Sequence, residues 1–209
     1  MLEMISFNTS KFEAILKLLS SLFGLRKRSY SKQILFLLLI LLFVFLIFSL
    51  IQPSPQLCVE KENVFILTDD NYFPYALSSL VSANKSIHMV MYSLNYYPDH
   101  PDSKVNMLID QLALAVERGV DVRIVVDEYA TEKPVLTMLK NKGINIKYDS
   151  KNKTTHAKLI IIDENIIIIG STNWSYYALE KNHETSLLIK SQNLAKEMER
   201  YFEKIWLET

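Results

Sequence analysis

From Ile34 to Ile51 the chain reads ILFLLLILLFVFLIFSLI, eighteen residues with no charge and one hydroxyl, Ser49. A helix rising about 1.5 Å per residue carries such a run across about 27 Å, close to the hydrocarbon thickness of a bilayer. A helix packed on a soluble core keeps a polar stripe, and no face of this run has one. The pattern predicts a membrane span over residues 34–51. Beyond Asn63 the apolar runs shorten and polar breaks recur. VFIL (64–67), SIHMVMYSL (86–94), DVRIVVD (121–127), INIKY (144–148) and residues 184–190 read as strands. AKLIIID (157–163) and IIIIG (166–170) read as two more, joined by a tight turn at Glu164-Asn165. Residues 72–84, 103–118, 132–142 and 191–207 have helical spacing, with Gly119 and Gly143 placed as stops. Strands alternating with helices predict an α/β domain over residues 63–209, its sheet largely buried and covered by helices on both faces.

The flanks of the apolar run give it a direction. Arg26, Lys27, Arg28 and Lys32 precede it, and Lys61 is the only basic residue soon after. The positive-inside rule then predicts a cytoplasmic N-terminal segment, residues 1–33, with the main domain on the extracytoplasmic side. A cleaved signal peptide fits less well, because the preceding segment is too long and no A-x-A-like site follows. An uncleaved signal anchor is expected. Residues 11–25, KFEAILKLLSSLFGL, have apolar positions at helical spacing. They fit an interfacial helix on the inner leaflet as well as they fit a frayed or disordered tail. Residues 52–62, with Pro53 and Pro55, read as a short stiff linker.

Composition changes this picture little. Lys+Arg and Asp+Glu are both 23, so net charge points to no polyanionic partner, although it leaves room for a local basic groove. Cys58 is the single cysteine, which excludes an intrachain disulfide and a Cys-rich metal site. A free thiol is the default and an interchain bridge the alternative. The loop NYYPDHPDS (95–103) reads as an ordinary surface connection, with a lid or a substrate-contacting edge as the sharper reading.

The chemistry concentrates in residues 155–174, THAKLIIIDENIIIIGSTNW. Alternate strand side chains share a face, so His156 and Lys158 are expected about 7 Å apart over one patch. Asp163 falls where the strand ends. The return strand delivers Gly170-Ser171-Thr172-Asn173 near the point where His156 began. An imidazole, an ammonium, a hydroxyl and an amide converging in this way suit a tetrahedral phosphoryl group. Lysine and asparagine bind its oxygens, and histidine attacks or transfers protons.

His156-x-Lys158, four residues, Asp163, six residues, then Gly170-Ser171-x-Asn173 resembles the full HxKx4Dx6GSxN signature of the phospholipase D superfamily. Asn182-His183-Glu184 looks like the Asn-x-Glu element that follows it in small single-copy members. The layout of residues 63–209 is closest to the compact bacterial Nuc-type endonucleases and the membrane-anchored mitochondrial phospholipase D-like proteins. The resemblance implies a mixed β-sheet flanked by helices, here preceded by one N-terminal transmembrane helix. It implies a phosphodiesterase with no cofactor and no metal. His156 would be the nucleophile, forming a phosphohistidine. Lys158, Ser171 and Asn173 would hold phosphate, and Glu184 would hydrogen-bond the imidazole and set its tautomer. Asp163 is carried in the catalytic set, more in support of the loop and the lysine than in contact with substrate.

Only one His-x-Lys pair is present, whereas the reaction needs an attacking group and an acid. A homodimer sharing one site between two copies of His156 is expected, with His183 as the alternative acid within one chain. The motif leaves the substrate open. Lys140, Lys142, Lys147, Lys151, Lys153, Lys158 and Lys181 suggest a positive mouth for nucleic acid, or merely a solvated face. The anchor through residues 34–51 favours phospholipid instead. Phosphatidyl transfer to an alcohol is a further option, as is a catalytically silent, membrane-tethered protein that binds nucleic acid or lipid.

Overall fold

The computed structural model describes residues 59–150 and 152–209, together with isolated helical positions between Ile34 and Phe45. Of the expected span, Ile34, Leu37, Leu38, Ile40, Leu41, Leu42, Phe43 and Phe45 are helical with exposed side chains, and its other positions lie outside the described residues. So do the expected interfacial helix over 11–25, most of the linker, Cys58 and Lys151. Among the described residues no helix is long and apolar enough to cross a membrane.

Seven strands form one sheet: β1 (Val64–Thr68), β2 (Ser86–Met91), β3 (Asp121–Val126), β4 (Asn145–Tyr148), β5 (Lys158–Ile162), β6 (Ile166–Gly170) and β7 (Thr185–Lys190). Their order is β1-β7-β6-β5-β2-β3-β4. β2, β3 and β4 run parallel, and every other neighbouring pair is antiparallel, so the sheet is mixed. Parallel neighbours need a crossover. Helix α2 (Lys104–Glu117) supplies the one between β2 and β3, and α3 (Lys133–Asn141) the one between β3 and β4.

Helices cover both faces, as the alternation predicts. β5 shows why its sequence is continuously apolar: all five of its residues are buried. Ile160 and Ile162 join the core beneath α1 (Tyr72–Ser82), α2 and α3, while Leu159 and Ile161 join a second core against Ala195 and Phe202 of the closing helix α5 (Gln192–Glu208). Burying one such side chain contributes about 1.5–3 kcal/mol, so the isoleucine run makes the hairpin the rigid centre of the sheet.

Two details depart from the expected elements. β2 ends at Met91, because Leu94 leaves the sheet to form a parallel bridge with Trp174. A five-residue helix, α4 (Tyr176–Glu180), follows the motif and is capped by Ser175, whose Oγ accepts from the Ala178 N–H at 3.3 Å.

The topology collects one end of each of the seven strands at one edge of the sheet. Met91 pairs with Val126 and with Lys158, Val126 pairs with Tyr148, Gly170 with Ser186, and Thr68 with Thr185. The segments entering and leaving those positions build the site.

Candidate active site

His156 is exposed and Lys158 is buried, one residue apart at the mouth of β5. The lysine Nζ donates to the His156 carbonyl oxygen at 2.8 Å and lies 3.3 Å from Nε2 and 3.4 Å from Nδ1 of the ring. Tyr92, just past β2, tilts against the imidazole with centroids 4.6 Å apart and sits 4.8 Å beneath the ammonium. Burial pushes Lys158 below the ordinary lysine range, and the charge of Glu184 offsets part of that shift. The ammonium is therefore held close to the imidazole, with a carboxylate acting on its charge.

The loop that presents His156 is pinned by Asp149. Its Oδ2 accepts from the Thr155 N–H at 2.8 Å and its Oδ1 from the Glu128 N–H at 3.3 Å, so the segment before the histidine is tied to the end of β3.

The segment after β6 alternates in direction. Thr172 and Trp174 turn inward: Thr172 Oγ1 meets Ser186 Oγ at 3.0 Å, and the Trp174 indole N–H donates to the Tyr72 hydroxyl at 3.0 Å. Ser171 and Asn173 occupy the intervening positions. Asn173 Oδ1 accepts from the Ser93 N–H at 3.2 Å, which leaves its amide N–H groups to act as donors. Gly170 is required sterically: a methyl group there would collide with Ser186 Oγ, with Ser186 Cα and with the Thr185 carbonyl.

Glu184 is placed differently from its expected role. Its carboxylate accepts from Ser171 Oγ and, at 3.0 Å, from Asn182 Nδ2. No hydrogen bond links it to the His156 of the same chain among the described residues. Asp69, which the motif does not include, anchors this corner. Its Oδ1 accepts from the Glu184 N–H at 2.8 Å and its Oδ2 lies 3.1 Å from His183 Nδ1. Those two bonds, the backbone one first, hold the Asp69 carboxyl below the usual range. His183 is fully exposed and bound to Asp69.

Asp163 stands at the other end of β5 from His156. Its carboxylate accepts from the backbone N–H groups of Asn84 at 2.9 Å, Lys85 at 2.7 Å and Ser86 at 3.0 Å. It holds the turn before β2, and among the described residues no hydrogen bond joins it to Lys158. Asp163 and Glu164 both lie in the left-handed region, at φ 54° and 51°, and the carboxylate's bonds offset that local cost.

The expected positive mouth is dispersed. Lys142 pairs with Asp110 at 3.2 Å, Lys147 donates to the Trp206 carbonyl and lies over its ring, and Lys181 lies over Tyr176. Among the described residues one group has metal-ligand spacing, His88, Glu199 and Glu203, on the face covered by α5. There the Arg123 guanidinium supplies the cation, 2.8 Å from Glu203 and 3.0 Å from His88 Nε2.

Tyr92, Asp149 and Asp69 escape a motif search because strand order alone brings them to this edge. In the structure each follows directly on a strand: Asp69 on β1, Tyr92 on β2 and Asp149 on β4.

The family profile described as "Cardiolipin synthase, PLD-like domain" matches residues 77–206. The mitochondrial cardiolipin hydrolase of Danio rerio is 28% identical over 172 residues, covering 74% of this chain and 70% of that protein. Cardiolipin synthase 1 of Staphylococcus epidermidis is 30% identical over 133 residues, 60% of this chain and 25% of that one. Among solved structures, Nuc from Salmonella typhimurium, a phospholipase D family member, superposes with a TM-score of 0.61 at 29% identity, covering 69% of this chain and 94% of that one.

Proposed function

This chain belongs to the phospholipase D superfamily and is one of its phosphodiesterases, and from that premise we propose that His156 is the nucleophile in cleaving phosphodiester bonds of phospholipid headgroups. The observation that carries the assignment is the exposed His156 imidazole with the buried Lys158 ammonium 3.3 Å from it. In the first step a ring nitrogen bonds to phosphorus while the bond to the leaving oxygen breaks. Lys158 and Asn173, with Ser171, offset charge on the non-bridging oxygens. In the second step water attacks phosphorus and the P–N bond breaks, returning the free imidazole.

The leaving oxygen must gain a proton in step one, and water must lose one in step two. A second His156, from another copy paired about a two-fold axis, fills both needs. Glu184, engaged with Ser171 and Asn182 in its own chain, is then available to a partner's imidazole as a tautomer-setting acceptor. We place the span at residues 34–51, with the catalytic domain extracytoplasmic, as the flanking charges argue. A tethered site works close to headgroups, and the curated relatives are named for cardiolipin. Metal-free turnover belongs to the same proposal.

The deciding experiment uses full-length chain in detergent with chelator present. Wild type should turn over bis(4-nitrophenyl) phosphate, and His156→Ala should not. Equal rates would reject the assignment. Cardiolipin, phosphatidylglycerol, phosphatidylcholine and a single-stranded oligonucleotide, compared side by side, test the substrate class. Adding ethanol separates hydrolysis from phosphatidyl transfer.

A further inference from the structure

His156 also walls a second concavity. A cavity of about 220 Å3 is lined by His156 together with Ser150, Lys153 and Thr154 from the β4–β5 loop and Tyr201 and Lys204 from α5. Two exposed lysines and several hydroxyl side chains line a space large enough for a phosphate, and Glu208 is the one carboxylate among the lining residues. Neither Lys153 nor Lys204 forms an ion pair among the described residues. The loop is held in place: Asp149 accepts from the Thr155 N–H, and the Lys153 N–H donates to the Ser150 carbonyl at 3.2 Å.

The Asn173 side has the opposite character. Ser93, whose N–H binds Asn173, precedes the segment carrying Tyr97, and the Tyr97 hydroxyl accepts from the Tyr176 N–H at 2.9 Å. Those two tyrosines wall a cavity of about 650 Å3 that also holds Asp99, Asp102 and Glu180. A polyanion with a phosphate at every step would press one phosphate toward those carboxylates. A substrate with a single additional phosphate, on the His156 side, would not.

We propose that the Lys153–Lys204 cavity binds the second phosphate of a lipid whose two phosphates are joined by a short alcohol, holding one while the other is cleaved at His156. This rests on the lipid phosphodiesterase reading above and adds the residues that would select a diphosphate headgroup. The lysines act through charge-assisted hydrogen bonds to the uncleaved phosphate, so their contribution depends on its presence.

The test compares full-length wild type, the double variant Lys153→Gln/Lys204→Gln, and a charge-matched control, Lys133→Gln/Lys196→Gln. Each is assayed on cardiolipin and on phosphatidylglycerol in neutral detergent micelles, and on a single-stranded oligonucleotide. The cardiolipin-to-phosphatidylglycerol ratio of kcat/KM should fall about tenfold in the first double variant and hold in the control, the loss of charged hydrogen bonds to one phosphate. Binding is read separately in the His156→Ala background. Affinity for glycerol 1,3-bisphosphate should fall about tenfold on adding the lysine changes, and affinity for glycerol 1-phosphate should change less than about twofold. An unchanged ratio, equal losses on both lipids, or selective loss of oligonucleotide cleavage would overturn the proposal. Failure of the catalytic reading shows instead as equal rates for wild type and His156→Ala on bis(4-nitrophenyl) phosphate, and the binding arm still reports on the cavity.

Discussion

The Lys158 ammonium lies 3.3 and 3.4 Å from the two ring nitrogens of His156. Near-equal distances favour neither ring nitrogen, so this contact leaves the tautomer to be set by another partner. The ammonium's anchor is the His156 carbonyl oxygen at 2.8 Å. On the proposed reaction the ammonium would stand beside the developing phosphoryl charge, with the Tyr92 ring 4.8 Å beneath it.

That placement sets a pH dependence. Burial lowers the Lys158 pKa, so the ammonium is lost at a lower pH than free lysine would lose it. On the proposed mechanism Lys158 binds phosphate in its charged form. The alkaline limb of kcat/KM should therefore fall at lower pH than an unperturbed lysine allows, and Lys158→Arg should move it upward, since guanidinium stays charged. A limb that does not move in Lys158→Arg would assign it to another group.

Asp163 predicts stability without chemistry. Asp163→Ala removes the acceptor for three backbone N–H groups and should cost about 2–3 kcal/mol in denaturant unfolding. Turnover per folded molecule should stay within about threefold, because the change lies at the opposite end of β5. A large drop in kcat with unchanged stability would return Asp163 to the chemistry.

Gly170 tests the motif glycine. Gly170→Ala forces a methyl group onto the backbone of β7 and should destabilise by about 2 kcal/mol or more. The displaced β6–β7 pair carries Ser171 and Thr185, so kcat should fall as well. Unfolding midpoint and kcat, measured together, check this.

The buried Tyr72–Trp174 contact anchors Asn173 from below. Burial raises the Tyr72 hydroxyl to about 12, with the Trp174 indole bond pulling the other way. Tyr72→Phe leaves the indole N–H buried and unpaired, at a cost of about 1–3 kcal/mol. Unfolding of Tyr72→Phe beside wild type measures it, and a neutral result would show that water reaches the site.

A shared site predicts poisoning by inactive chains. With His156→Ala mixed into a fixed amount of wild type and re-equilibrated, activity per wild-type chain should fall as mixed pairs form. Constant activity per intact chain would favour an acid within one chain, His183 first.

Local pattern made much of this protein legible. Period-two runs and unbroken isoleucine identify a strand buried on both faces, because adjacent side chains point to opposite sides of a sheet. The spacing of His156, Lys158, Gly170, Ser171 and Asn173 marks a hairpin carrying phosphate chemistry, since two antiparallel strands return the chain to its starting edge. Strand order decided the rest. It set Asp163 against residues 84–86, bound Glu184 to Ser171 and its backbone to Asp69, and brought Tyr92 beneath Lys158. It also turned Lys142 and Lys147 to other partners while α5 brought Lys204 to the His156 cavity. Those pairings join residues far apart along the chain, and only long-range packing determines which of them meet.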